Sequence, residues 1–104
     1  MKLYTFDNVF IKETNSLSNI FTGIVEHDNG TKVWYVNNTR HRIDGAAVEY
    51  FNGEKSWWVN GKRHRIDDPA CEYKYEKYWY IDNKEVTELQ HKLLHDVMRL
   101  KGML

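Results

Sequence analysis

The chain repeats itself. Trp34–Tyr50, WYVNNTRHRIDGAAVEY, is echoed by Trp57–Tyr73, WWVNGKRHRIDDPACEY, at a constant offset of 23 residues, so that Arg40-His41-Arg42-Ile43-Asp44 returns as Arg63-His64-Arg65-Ile66-Asp67. A period this short restricts the fold to stacked copies of one small supersecondary unit, and argues against a fold organised around a single catalytic pocket. Upstream, Gly23–His27 aligns with Ala46–Tyr50, and Asn29-Gly30 with Asn52-Gly53. Downstream, Trp79–Lys84 aligns with Trp57–Lys62 after a one-residue deletion. Two series keep register through the units: Glu26, Glu49, Glu72 and Trp34, Trp57, Trp79.

The units read as strands. Thr22–His27, Lys32–Val36, Ala46–Phe51, Lys55–Val59, Ala70–Tyr75 and Lys77–Asp82 are rich in β-branched and aromatic residues. Asp28-Asn29-Gly30, Asn37-Asn38, Asn52-Gly53, Asn60-Gly61 and Asp82-Asn83 separate them with turn chemistry, and Asn52-Gly53 between two alternating runs is the clearest two-residue hairpin. Leu3–Phe6 or Val9–Lys12 supplies a first strand, and residues 13–19 read as a polar loop. The period then changes. Thr87-Glu88-Leu89-Gln90 is a capping box, Leu89, Leu93, Val97, Leu100 and Leu104 recur at helical spacing with Leu94 and Met98 widening the stripe, and Gly102 suits a helix stop. The expectation is a mainly β (α+β) fold: an antiparallel meander of β-hairpin repeats with one C-terminal helix, Glu88–Lys101, packed by its apolar stripe on a sheet face. Trp57 and Trp58 are consecutive and must point to opposite faces, so both faces carry aromatics and the helix covers only one.

At 104 residues one domain is expected, organised as a cap (1–22), a repeat sheet (23–84) and a helix (87–101). Fifteen basic residues balance fifteen acidic ones, which argues against a generally nucleic-acid-binding or membrane-surface protein. A lone Cys71 fits a reducing compartment. There is no 18-residue apolar run, and the N-terminus lacks the apolar core of a signal peptide, so a soluble cytoplasmic protein is expected.

The period, the strand–turn–strand units and the wording Asn60-Gly61-Lys62-Arg63-His64 resemble membrane-occupation-and-recognition-nexus (MORN) repeats over residues 23–84. In that family a Gly follows the His, whereas Arg42 and Arg65 stand there in this chain. The fuller wording, Trp57 through Ala70, resembles a repeat of small bacteriophage and large-virus proteins. The resemblance implies a scaffold for contacts and no catalytic set. It suggests a small phage accessory protein in the host cytoplasm that contacts a host or viral protein, for example an anti-CRISPR inhibitor of a bacterial defence complex.

The residues themselves leave several uses open. Arg40, Arg42, Lys62, Arg63 and Arg65 form either a basic stripe for phosphates, with Trp and Tyr stacking bases, or an internal ladder in which each Arg pairs with Glu49, Glu72, Asp44 or Asp67 at the same level of the neighbouring unit. The expected partner surface is Tyr35, Trp57, Trp58, Arg40, Arg63 and Arg65, because aromatics and Arg are the usual interface anchors. An open sheet edge also invites a homodimer. His41 and His64 are expected to hydrogen-bond locally. His91 and His95, four apart beside Asp96, would suit zinc given a third ligand, but the Glu of His-Glu-x-x-His is replaced by Lys92. No catalytic residue, metal or cofactor is expected. Single-stranded nucleic-acid binding is the alternative reading, and a metal-dependent enzyme a lesser one.

Overall fold

The computed structural model describes residues 1–17 and 20–104. Among the described residues, twelve strands and one helix follow in chain order: β1 (Lys2–Tyr4), β2 (Phe10–Glu13), β3 (Gly23–Glu26), β4 (Lys32–Val36), β5 (Thr39–Arg40), β6 (Val48–Glu49), β7 (Lys55–Ser56), β8 (Trp58–Val59), β9 (Lys62–Arg63), β10 (Cys71–Glu72), β11 (Lys77–Ile81), β12 (Lys84–Val86) and α1 (Glu88–Leu100). Nine strands form one antiparallel path, β12-β11-β10-β7-β6-β4-β3-β1-β2, with β5 paired beside β4 and β8–β9 as a separate hairpin. The mainly β class with one C-terminal helix therefore holds. The molecule is elongated along this path, 45 × 30 × 21 Å, with a radius of gyration of 15.2 Å against about 13 Å for a compact chain of this length.

Each unit makes two hairpins. The wide ones, β3–β4 and β6–β7, turn through three residues closed by His27 N–H to Thr31 O and by Tyr50 N–H to Glu54 O, with Gly30 and Gly53 at φ 92° and 88°. Asn52-Gly53 thus marks a hairpin, but as part of a three-residue loop with Gly in the left-handed position and not as a two-residue turn. The one-residue deletion falls here: β10 and β11 close with Tyr73 N–H to Glu76 O. The narrow hairpins follow. Asn37-Asn38, Asn60-Gly61 and Asp82-Asn83 hold positive φ at both positions, the requirement of a type I′ turn, and each returns a two- or three-residue strand. These three returns, β5, β9 and β12, are strands that hydrophobic alternation alone did not single out.

Two rows cross the sheet in register. One runs Leu3, Val25, Val33, Val48, Ser56, Cys71, Tyr78. Its first six members are buried and form the spine of the core, with Phe21, Leu17, Met1 and Tyr35 packed at the Leu3–Val25 end. The neighbouring row alternates charge without a break: Glu13, Lys2, Glu26, Lys32, Glu49, Lys55, Glu72, Lys77. Opposite charges facing across strands favour this register, and a one-residue slip would exchange the two rows between faces. Gly23 is required where β3 meets the cap: at φ 145°, a Cβ there would collide with the Tyr4 carbonyl.

The helix begins as expected, with Thr87 accepting from Gln90 N–H and the Gln90 side chain accepting from Thr87 N–H. It ends at Leu100, with Gly102 at φ 69°. Its orientation is not the expected one. His91 is the one residue of α1 that is buried, at 4% exposure, and its Nε2–H donates to the Arg65 carbonyl at 2.5 Å. The face turned inward is His91, with His95 and Met98 half-buried beside it. The stripe Leu89, Leu93, Val97, Leu100 and Leu104 is solvent-exposed. Of residues 13–19, Glu13 extends β2, while positions 18 and 19 lie outside the described residues.

Candidate functional site

The duplicated Arg-His-Arg segments give each residue a separate job, and the two units do the same things. Arg42 donates through Nε to Asp44 at 3.0 Å and through a terminal nitrogen to Ala46 O at 3.1 Å and Glu49 at 3.2 Å. Arg65 does likewise with Asp67 at 3.2 Å, Pro69 O at 3.2 Å and Glu72 at 2.8 Å. Each guanidinium also lies on the unit's first Trp, 4.0 Å from the Trp34 centroid and 3.7 Å from that of Trp57. These arginines close the loop that leads back into the sheet. They are neutralised by the recurring glutamates, but each pairs with the carboxylates of its own unit and not with those of the neighbouring one, because the loop after the narrow hairpin folds back within the unit.

The histidines join one unit to the next. His41 Nδ1 accepts from Asn60 N–H at 2.9 Å, and His64 Nδ1 from Asp82 N–H at 3.0 Å. Each imidazole satisfies the first backbone donor of the next type I′ turn, so Nδ1 carries no proton there. Backbone bonds at the same junctions, Gly61 N–H to Arg40 O and Asn83 N–H to Arg63 O, complete the stacking.

The other two arginines are placed differently. Arg40 faces Tyr35 across β4–β5, and Arg63 faces Trp58 across β8–β9. Arg40 sits 5.1 Å from the Trp58 centroid, and Arg63 lies 5.0 Å from Trp58 and 5.3 Å from Tyr80. The result is a stack that alternates cation and ring, Arg40, Trp58, Arg63, Tyr80, with Tyr35 beside Arg40 on the neighbouring strand. Among the described residues neither Arg40 nor Arg63 has a carboxylate within 4.0 Å. Arg63 Nε is buried and has no hydrogen-bond partner among those residues. Trp58 itself is held by its indole N–H, which donates to buried Ser56 Oγ at 2.8 Å. A cleft of about 380 Å³ opens between Tyr35, Asn38, Thr39, Arg40, Trp58 and Gly61.

The six residues expected to bind a partner therefore divide. Tyr35, Arg40, Trp58 and Arg63 share the stacked surface. Trp57 and Arg65 point the other way, into a cleft of about 620 Å³ with Ile43, Val59, His64 and Ile66, and Arg65 is occupied by its carboxylates. Tyr80, which the expected set omitted, completes the stack. Its sequence signal is alignment with Trp58 once the one-residue deletion is counted.

The helix histidines line one cleft with Asp67, Asp68 and Glu88. His91 is committed to the Arg65 carbonyl, and His95 lies 3.9 Å from Asp96. No group of three or more His, Cys, Asp or Glu side chains suited to a metal occurs among the described residues. Cys71 is buried in the core row. Beside it, burial pushes the Tyr73 hydroxyl well above its ordinary pKa, reinforced by a hydrogen bond with Cys71. Among the described residues no helix is long and apolar enough to cross a membrane. No family model, curated protein or solved structure matches the chain.

Proposed function

We propose that this chain is a non-enzymatic protein-binding module, and that its contact surface is the ring–cation stack of Arg40, Trp58, Arg63 and Tyr80, with Tyr35 beside it. One observation carries the reading. Four arginines recur in the two units; two are neutralised by carboxylates, and the two in the stack are not. A cation held rigidly on aromatic rings, with no internal counter-charge, suits a partner that presents carboxylates, since little side-chain entropy is left to lose on binding. The Trp58 ring already carries guanidinium groups, which favours acidic protein side chains over stacked nucleotide bases. The phage-like wording of the repeat supports an accessory role against a host or viral protein, with a host defence complex as its concrete form.

The test is quantitative affinity capture from host lysate with three baits: wild type, Arg40→Glu/Arg63→Glu, and Lys12→Glu as a charge control on the distant β2. A protein recovered by wild type and Lys12→Glu, and depleted about tenfold or more by the double reversal, is the expected result. Equal recovery by all three baits overturns the placement. A low-salt titration with a labelled single-stranded oligonucleotide separates the nucleic-acid reading, for which tight binding with steep salt dependence is diagnostic.

A further inference from the structure

The helix turns its apolar stripe away from the body of the protein. Leu89, Leu93, Val97 and Leu100 are 65%, 55%, 45% and 81% exposed. At 100° per residue they fall within about 80° of one another, on the side of the helix opposite His91, His95 and Met98. An amphipathic helix anchored by its more polar side leaves its own strongest hydrophobic surface uncovered, and contiguous exposed patches of this kind mark interaction sites.

We propose that two copies of this chain pair antiparallel through the outer face of α1. The stripe is complementary to itself. A two-fold axis near the helix midpoint sets Leu89 against the partner's Leu100 and Leu93 against the partner's Val97, each contact made twice, as an isologous interface requires. The same axis brings Lys92 opposite the partner's Asp96, also twice. Lys92 stands in no ion pair among the described residues, and the carboxylate of Asp96 has only distant neighbours, Arg99 at 4.0 Å and His95 at 3.9 Å. The flanks are thus charge-complementary in the antiparallel arrangement.

Charge also argues against a membrane as the occupant. Glu88 and Asp96 are interspersed with Lys92, Arg99 and Lys101, whereas a helix lying on an anionic bilayer carries a predominantly cationic polar face. A helix of 13 residues covers less than the roughly 800 Å² per partner of a standard interface, so a dimer in the micromolar range is expected. Arg40, Trp58 and Arg63 take no part, and a dimer would present two copies of that surface to a partner.

Sedimentation equilibrium over a micromolar concentration series tests the pairing. Wild type shifts with concentration from 12.5 kDa toward twice that mass. Leu93→Glu/Val97→Glu stays monomeric at every concentration, with circular dichroism confirming that its exposed positions leave the fold intact. Lys92→Glu and Asp96→Lys each raise the dissociation constant about tenfold, and the double swap Lys92→Glu/Asp96→Lys restores it. A wild type that remains monomeric overturns the proposal. So does a double swap that weakens association further, because a non-specific hydrophobic contact has no reason to be rescued. Wild-type binding to anionic phospholipid vesicles that is lost in Leu93→Glu/Val97→Glu, without dimerisation, assigns the face to a membrane instead.

Discussion

Replacing Arg65 with alanine separates an arginine that builds the fold from one that is free to bind. The Arg65 side chain is 17% exposed. Its contacts with Asp67 and Asp68 end on carboxylates that are 70% and 60% exposed and contribute little. Three others matter. The charge-assisted bond to the Pro69 carbonyl contributes about 1.5 kcal/mol. The pair with Glu72, partly screened by solvent, contributes about 1 kcal/mol. The stacked Trp57 ring contributes about 1 kcal/mol. Losing all three costs about 3.5 kcal/mol, a large part of the 5–15 kcal/mol that stabilises a typical domain, and lowers Tm by roughly 15 °C. Equilibrium urea unfolding followed by tryptophan fluorescence, with the slope unchanged, measures it. Arg65→Lys keeps the charge but not the planar fork, and should lose about half as much. Arg40→Ala, exposed and without a carboxylate, should lose about 0.5 kcal/mol. A loss below about 1 kcal/mol for Arg65→Ala, or equal losses for Arg40→Ala and Arg65→Ala, refutes the division of labour between the two arginines.

Two further outcomes test the sheet. Glu49 stands between Lys32 and Lys55 in the alternating row and accepts from Arg42, so Glu49→Lys should cost about 2 kcal/mol. Added salt should relieve part of that cost, and Lys55→Glu in the same chain should recover part of it; unchanged stability would show that the row does not set the register. Burial holds the Tyr73 hydroxyl protonated in the folded state, whereas the unfolded chain ionises near pH 10. Its contribution is therefore fully present below about pH 10 and is lost as pH rises beyond it, because only the unfolded state releases the proton. Urea titrations at pH 8 and above pH 10 should show an alkaline loss that is smaller in Tyr73→Phe, and identical losses would contradict the assignment.

Local chemistry was legible in the sequence wherever neighbours along the chain decide it. The 23-residue offset announced stacked units, Asn37-Asn38 and Asn60-Gly61 announced tight turns, and Thr87 with Gln90 marked the start of the helix. The recurring Glu49 and Glu72 also pointed to an internal use for the arginines. What that level of reading does not contain is which arginine they neutralise. Arg40 and Arg42 are two residues apart and chemically identical. The loop between β5 and β6 folds Arg42 back onto Glu49, whereas the narrow hairpin carries Arg40 onto the Trp58 of the next unit.

The repeat, the turns and the helix boundaries were determined by sequence alone, because propensity, capping and positive-φ turn chemistry act over four or five residues. Three things were decided only by the tertiary structure: the unbroken Glu–Lys row, the division of the six candidate residues between two surfaces, and the outward direction of the helix stripe. Each depends on partners from distant parts of the chain. The helix shows the reason most directly. Its pattern predicted burial of Leu89, Leu93 and Val97, but the capped start after β12 and the bond from His91 to the Arg65 carbonyl fix its rotation, and turn that stripe to solvent.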